Sequence, residues 1–128
     1  MSRRDARDIA FKLVFAYTFD SEKNNEAFEE YTLSSDAEDK AYISEVYNGV
    51  VLRYDELMED VKNNAEKFDI SRIFKTDLAI ILLALYEIKY VSSIPYKVSV
   101  DEAISLAHKY STDKSGKYIN GILSKFAR

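Results

Sequence analysis

Arginine and phenylalanine side chains share one side of the first predicted helix, and together they could bind a polyanion. Arg3, Arg4 and Arg7 lie in its first turns. A helical wheel at about 100° per residue places Phe11 and Phe15 beside Arg4, opposite the apolar stripe, with the other two arginines at the edge. Guanidinium groups pair with phosphates, and aromatic rings stack on bases or pack against a partner. Two interpretations stay open for the phenylalanines: a binding surface, or coverage by a neighbouring helix.

The C-terminal end of the chain is a second basic zone. Five of the last twenty residues are basic, Lys114 and Lys117 among them, and only Asp113 is acidic. Residues 20–60 show the opposite bias, with thirteen acidic and three basic residues, so the formal net charge of -4 hides two basic ends. A polyanion responds to the local field rather than to the net charge. The acidic isoelectric point therefore leaves a nucleic-acid partner open.

Residues that could carry catalysis or hold a metal form no pattern. The sequence has no cysteine and one histidine, His108, so it offers no disulfide framework, no Cys/His metal cluster and no Ser-His-Asp arrangement. Ser115, Gly116 and Lys117 end like a phosphate-binding P-loop, but the first glycine and the preceding strand are missing. We therefore expect a protein that binds rather than catalyses, with no metal and no cofactor.

The composition and the periodicity of apolar residues predict an all-α fold. Glycine and proline are scarce, and seventeen Phe and Tyr residues supply the bulk of a core. Nine consecutive apolar residues from Leu78 to Tyr86 leave no polar face, which is typical of a helix buried on all sides. The run is shorter than the ~20 residues of a membrane span, and no secretory signal is visible. We expect one helical domain over residues 1–128, cytoplasmic and without a membrane partner.

The same periodicity predicts about seven helices around this central run. Gly49 is expected to permit a close helix approach, and Pro95 to stop the central helix before a connection over 92–97. Caps and apolar stripes predict where these helices start and end. The first helix runs from a Ser2 cap to about Phe19, the second from Ala27 to near Ser34, and a long segment opens at a Ser35–Glu38 capping box and breaks at Tyr54–Asp55. The central helix runs from a Thr76 cap to about Val91, the next helix opens at a Ser99–Glu102 capping box, and Thr112 caps the last one.

Five segments, in their order and spacing, resemble the bacterial NusB family of transcription antitermination factors: RRDARDIAFKLVFAY, VYNGVV, LALYEI, IPYKVSVDEAISLAHKYS and KYINGILSKF. The resemblance covers nearly the whole chain. It implies an all-α bundle arranged as two three-helix sub-bundles. It also implies that the protein binds boxA-type single-stranded RNA together with NusE, a small-subunit ribosomal protein, within an RNA polymerase antitermination complex on ribosomal RNA operons.

The resemblance also implies site residues. Leu82 stands where many members have an arginine, which removes one contact, and Lys114 adds positive charge where some members have an acidic residue. The residues expected to bind RNA are Arg3, Arg4, Arg7, Lys114, Lys117 and Tyr118, and those expected at a partner surface are Phe11, Phe15 and Asp77.

Two other interpretations of the sequence compete with RNA binding. In the first, the protein is a helical adaptor or a homodimer that buries Phe11, Phe15 and the basic edge against a partner or a second copy. In the second, it is an RNA-modifying enzyme, because NusB-like domains resemble the N-terminal part of certain ribosomal RNA cytosine methyltransferases. The chain stops at Arg128 with no cofactor domain, so we expect no enzyme.

Overall fold

The computed structural model describes residues 3–65 and 72–127, and every regular element in these two ranges is helical. The predicted all-α class is confirmed. The predicted Ser2 cap lies outside the described residues. The helices are α1 (Arg3–Asp20), α2 (Asn25–Tyr31), α3 (Ala37–Leu52), α4 (Tyr54–Asn64), α5 (Lys75–Tyr90), α6 (Tyr96–Tyr110) and α7 (Ser115–Leu123), followed by a 3-10 helix (Ser124–Phe126).

Helix α5 is the centre of the bundle. None of its residues from Leu78 to Ile88 is more than 8% exposed, because the apolar run leaves no face for water. It belongs to two groups of three mutually packed helices, α1 with α3 and α5, and α5 with α6 and α7. The two expected sub-bundles are therefore present and share α5. Leu82 is fully buried inside it.

Gly49 lets α3 and α5 approach closely, as predicted. A methyl group added to Gly49 would lie 2.1 Å from Cε1 of Tyr86, far inside van der Waals contact. A break follows α3 as predicted, but it lies at Arg53 rather than at Tyr54–Asp55, which are the first two residues of α4.

The start of α6 differs from the prediction. The helix begins at Tyr96, directly after Pro95, so residues 96 and 97 belong to the helix rather than to the connection. Proline suits the N-cap position before this helix, because its backbone is extended there and its missing N–H costs no helical hydrogen bond. The hydroxyl of Ser99 does not cap α6, but donates to Glu87 Oε1 at 2.8 Å.

Three other starts also differ. Asp36 caps α3 in place of Ser35, and its carboxylate accepts from the Asp39 N–H at 2.8 Å. Helix α5 begins at Lys75, so Thr76 lies inside it. Thr112 is not the cap of α7, because the helix begins at Ser115 and its N-cap residue is Lys114. The hydroxyl of Thr112 instead lies 2.9 Å from Ser115 Oγ.

Within the described residues, no helix is long and apolar enough to cross a bilayer.

Candidate nucleic-acid interface

Arg4 lies at the outer edge of α1, as the wheel predicts. Its side chain is 70% exposed, and its Nε and Nη2 atoms each donate to one oxygen of Glu102 on α6 at 3.2 Å. These hydrogen bonds, and then the charge of Glu102, raise the pKa of Arg4. The most exposed arginine of this edge is thus already paired with a carboxylate.

Arg3 lies against α3. Its guanidinium is 3.5 Å from a carboxylate oxygen of Glu38 and 3.7 Å from one of Asp39. The same group lies 4.5 Å from the centre of the Tyr42 ring, a distance suited to a cation–π contact. Arg3 is therefore partly exposed and also paired.

Arg7 is not at the surface, and the expectation that it contacts RNA is corrected. Its side chain is 6% exposed, and its Nε and Nη2 donate to Glu87 at 3.1 and 3.2 Å. Tyr42 and Ser99 donate to the same carboxylate. Burial acts to lower the pKa of Arg7, but the Glu87 hydrogen bonds and charge outweigh it and raise the pKa. A buried carboxylate needs a cation, and Glu87 inside an apolar helix was the sequence signal for this pair.

Phe11 is covered by α6, so the second of the two interpretations holds for this residue. It is 4% exposed, and its ring stacks on that of Tyr110 with 5.0 Å between the centroids. Phe11 is thus not available to a partner.

The open part of the aromatic edge lies further along α1. Phe15 is half-buried and packs against Phe19 in a T-shape, with 5.0 Å between the centroids. Phe19 is 62% exposed. Lys75, which the sequence did not single out, donates to the carbonyl of Thr18 at 3.2 Å and lies 5.7 Å from the Phe19 ring centre.

Asp77 is buried rather than at a partner surface. Its carboxylate accepts hydrogen bonds from Ser111 at 2.5 Å and from Ser115 at 3.0 Å. Ser111 and Ser115 flank the turn between α6 and α7. Asp77 therefore anchors this turn to the first turn of α5.

The anchored turn presents the second basic zone. Lys114 and Lys117 are exposed, and the side chain of neither forms an ion pair or hydrogen bond within residues 3–65 and 72–127. Tyr118 is half-buried, and burial, then the charge of Asp77, raises its pKa. Beside these residues lies an open cavity of about 620 Å³, lined in part by Arg72, Ile73, Phe74, Asp77, Lys114 and Tyr118.

Tyr110 joins the two zones into one surface. It is the last residue of α6, stacks on Phe11 and donates its hydroxyl to Asp8 of α1 at 2.7 Å. The turn that leads to Lys114 begins at the next residue, Ser111. The edge of α1 and the start of α7 are therefore contiguous.

The two zones differ in charge, which corrects the expectation of two basic ends. At the edge of α1, Lys12 and Lys109 both pair with Asp8, at 3.6 and 3.1 Å, in addition to the arginine pairs. Lys114 and Lys117 have no such partners among the described residues. The ion pairs of the α1 edge join four cations, Arg3, Arg4, Lys12 and Lys109, to four carboxylates, Asp8, Glu38, Asp39 and Glu102.

Comparison with known proteins identifies the family of this chain. A sequence profile of the NusB family matches residues 4–128. The chain belongs to the NusB family. It is 38% identical to the transcription antitermination protein NusB of Clostridium botulinum over 98% of this chain and 99% of that protein. It is 37% identical to the NusB of Acetivibrio thermocellus over 100% of this chain and 90% of that protein.

Solved NusB structures share the fold. NusB of T. maritima superposes with a TM-score of 0.91 at 29% identity, covering 99% of this chain and 91% of that one. A structure of the antitermination factors NusB and NusE in complex with double-stranded RNA superposes with a TM-score of 0.86 at 22% identity, covering 97% and 94%. At that identity the second comparison shows the NusB fold alone.

Proposed function

We propose that the protein is a transcription antitermination factor that binds boxA-type RNA together with NusE. Membership of the NusB family supports this proposal, and so does the name shared by its relatives. The observation that carries it is the turn between α6 and α7, where Lys114 and Lys117 have no ion-pair partner within the described residues and the ring of Tyr118 lines the same cavity as Lys114. Cations beside aromatic rings are the combination that binds single-stranded nucleic acid.

Each part of this surface has a physical role in the proposal. Lys114 and Lys117 meet phosphates and release counterions, which makes the affinity depend on salt. Tyr118, Phe15 and Phe19 offer ring faces, and stacking contributes about 1 to 3 kcal/mol per base. Because Lys114 and Tyr118 line the same cavity, one strand can meet both.

The small number of lysines at the start of α7 that lack an ion pair within the described residues, Lys114 and Lys117, explains the need for a partner. Two lysines give a modest salt-dependent affinity, since affinity grows with the number of phosphates neutralised. NusE would supply further contacts to RNA, and the solved complex of NusB and NusE with RNA is the precedent among proteins of this fold. We extend the proposal to an RNA polymerase antitermination complex in the cytoplasm.

RNA titrations with and without NusE test the proposal. A labelled single strand of boxA type, a scrambled strand and the corresponding duplex are titrated by fluorescence anisotropy at low salt. We expect the boxA strand to bind most tightly, and to bind more tightly still when NusE is present. Equal binding of all three RNAs, unchanged by NusE, would contradict the proposal.

A second candidate function is that of a protein-only adaptor or homodimer, and the exposed rings favour it. Phe19 and Phe74 are 62% and 60% exposed, and large exposed apolar groups often mark protein contacts. Sedimentation equilibrium of the wild type and of Phe19→Ser separates the candidates. A dimer that dissociates in the variant, combined with no RNA binding at low salt, would favour the adaptor.

A further inference from the structure

We propose that Glu102 sets the RNA affinity of the α1 edge by competing with RNA phosphates for Arg4. The inference rests on the proposed function, because it concerns how the same surface meets RNA. It assigns a role to a residue on α6 that carries no positive charge and lies 98 positions away from the arginine it controls.

The geometry of the pair makes Glu102 a competitor. Two donors of Arg4, Nε and Nη2, are both engaged by the carboxylate at 3.2 Å. A phosphate offers the same arrangement of two oxygens, and a guanidinium edge accommodates one such group at a time. A phosphate approaching this edge must displace the carboxylate or accept its repulsion.

The burial of the pair adds a cost to that displacement. The Glu102 side chain is 18% exposed, whereas that of Arg4 is 70% exposed. When Arg4 turns towards RNA, Glu102 stays behind as a partly desolvated carboxylate that has lost two charge-assisted hydrogen bonds. Loss of such bonds is unfavourable. Arg4 can therefore reach RNA sterically, but its binding free energy is reduced by the loss of its partner.

The neighbouring charges indicate that carboxylates compete with RNA phosphates for the cations of the α1 edge, rather than orient those cations towards RNA. The other cations of the α1 edge are paired with carboxylates as well. Arg3 pairs with Glu38 and Asp39, and Lys12 and Lys109 pair with Asp8. Lys114 and Lys117, on the same continuous surface, have none within the described residues. RNA is thus bound first at the start of α7, and the α1 edge adds contacts only as its carboxylates are displaced.

The substitution Glu102→Gln tests the proposal, because it removes the charge and keeps the shape. We expect RNA to bind about two- to fivefold more tightly, the range that corresponds to an exposed ion pair. The gain should shrink as salt rises, because screening weakens the competition. In an Arg4→Ala background the same substitution should have no effect on affinity.

A neighbouring acidic residue provides the matched control. Asp101→Asn changes the charge by the same amount one position away, and Asp101 is exposed and forms no ion pair within the described part of the chain. Circular dichroism and a urea midpoint establish that each variant is folded. We expect Asp101→Asn to change the affinity clearly less than Glu102→Gln.

Each other outcome overturns the inference in a recognisable way. Weaker binding by Glu102→Gln would mean that the carboxylate orients Arg4 for RNA. Equal gains in Glu102→Gln and Asp101→Asn would reduce the effect to net charge. No change in Glu102→Gln, together with weaker binding by Arg4→Ala, would reject the competition and leave the proposed function standing. No RNA binding by the wild type at low salt would reject both.

Discussion

Two arginines one helical turn apart have different roles in this protein. Arg4 points outward and pairs with a carboxylate at the surface, whereas Arg7 is enclosed with Glu87, Tyr42 and Ser99. The sequence placed both in one basic cluster, since a helical wheel cannot show what packs against its edge. The acidic partners lie 98 and 80 positions away in the chain.

The stability of Arg7 and Arg4 variants distinguishes these roles. Arg7→Ala leaves Glu87 buried without its cation, and we expect a loss of about 3 to 5 kcal/mol in the free energy of unfolding. Arg4→Ala removes an exposed pair and should cost less than about 1 kcal/mol. Urea unfolding followed by circular dichroism measures both. Similar losses in the two variants would contradict the burial of the Arg7 pair.

At the scale of the elements, α5 was the most predictable helix and its surroundings the least. Its apolar run predicts the C-terminal end of the helix to within about one residue, because such a segment has no amphipathic alternative. The predicted start of α6 is wrong, because Pro95 directly precedes the first residue of α6 rather than lying inside a longer connection. Caps were misassigned where two polar residues stood side by side, as at Ser35 and Asp36.

The contact between α3 and α5 depends on Gly49. Gly49→Ala would push a methyl group into the Tyr86 ring, and we expect a loss of about 1 to 3 kcal/mol from overpacking. Gly121→Ala on α7 is the control, because nothing lies within 4 Å of the added group. There the higher helix propensity of alanine should stabilise the fold by up to about 1 kcal/mol. Opposite signs in thermal melts are expected, and a neutral Gly49→Ala would refute the close approach.

The turn between α6 and α7 depends on Asp77. Asp77→Ala leaves Ser111 and Ser115 without their shared acceptor, so we expect a loss of about 1 to 3 kcal/mol in stability. RNA binding should weaken too, because the turn no longer holds Lys114 in place. Asp113→Ala removes the same charge from an exposed position on this turn and should leave affinity equal or higher. Higher RNA affinity in both variants would show that Asp77 acts only through its charge.

At the scale of the whole molecule, folding rearranges the charge that the sequence segregates. Acidic residues of α3 and α6 neutralise the first basic end, whereas Lys114 and Lys117 at the second end form no ion pair within the described residues. The all-α class, the central helix and the family followed from local patterns and from motif order. The positions of Arg7, Phe11 and Asp77 did not, because their burial results from contacts between distant segments.

The salt dependence of RNA binding tests most directly whether the start of α7 is the principal RNA contact. The wild type, the double variant Lys114→Ala/Lys117→Ala and the control Lys62→Ala, an exposed lysine of α4, are titrated with single-stranded RNA from 50 to 200 mM salt, about the range over which such affinities change most. We expect the double variant to bind more weakly and the slope of log affinity against log salt to decrease in magnitude by about 1.4, that is about 0.7 per phosphate contact. Lys62→Ala should match the wild type. Equal slopes and affinities in all three proteins would contradict the account.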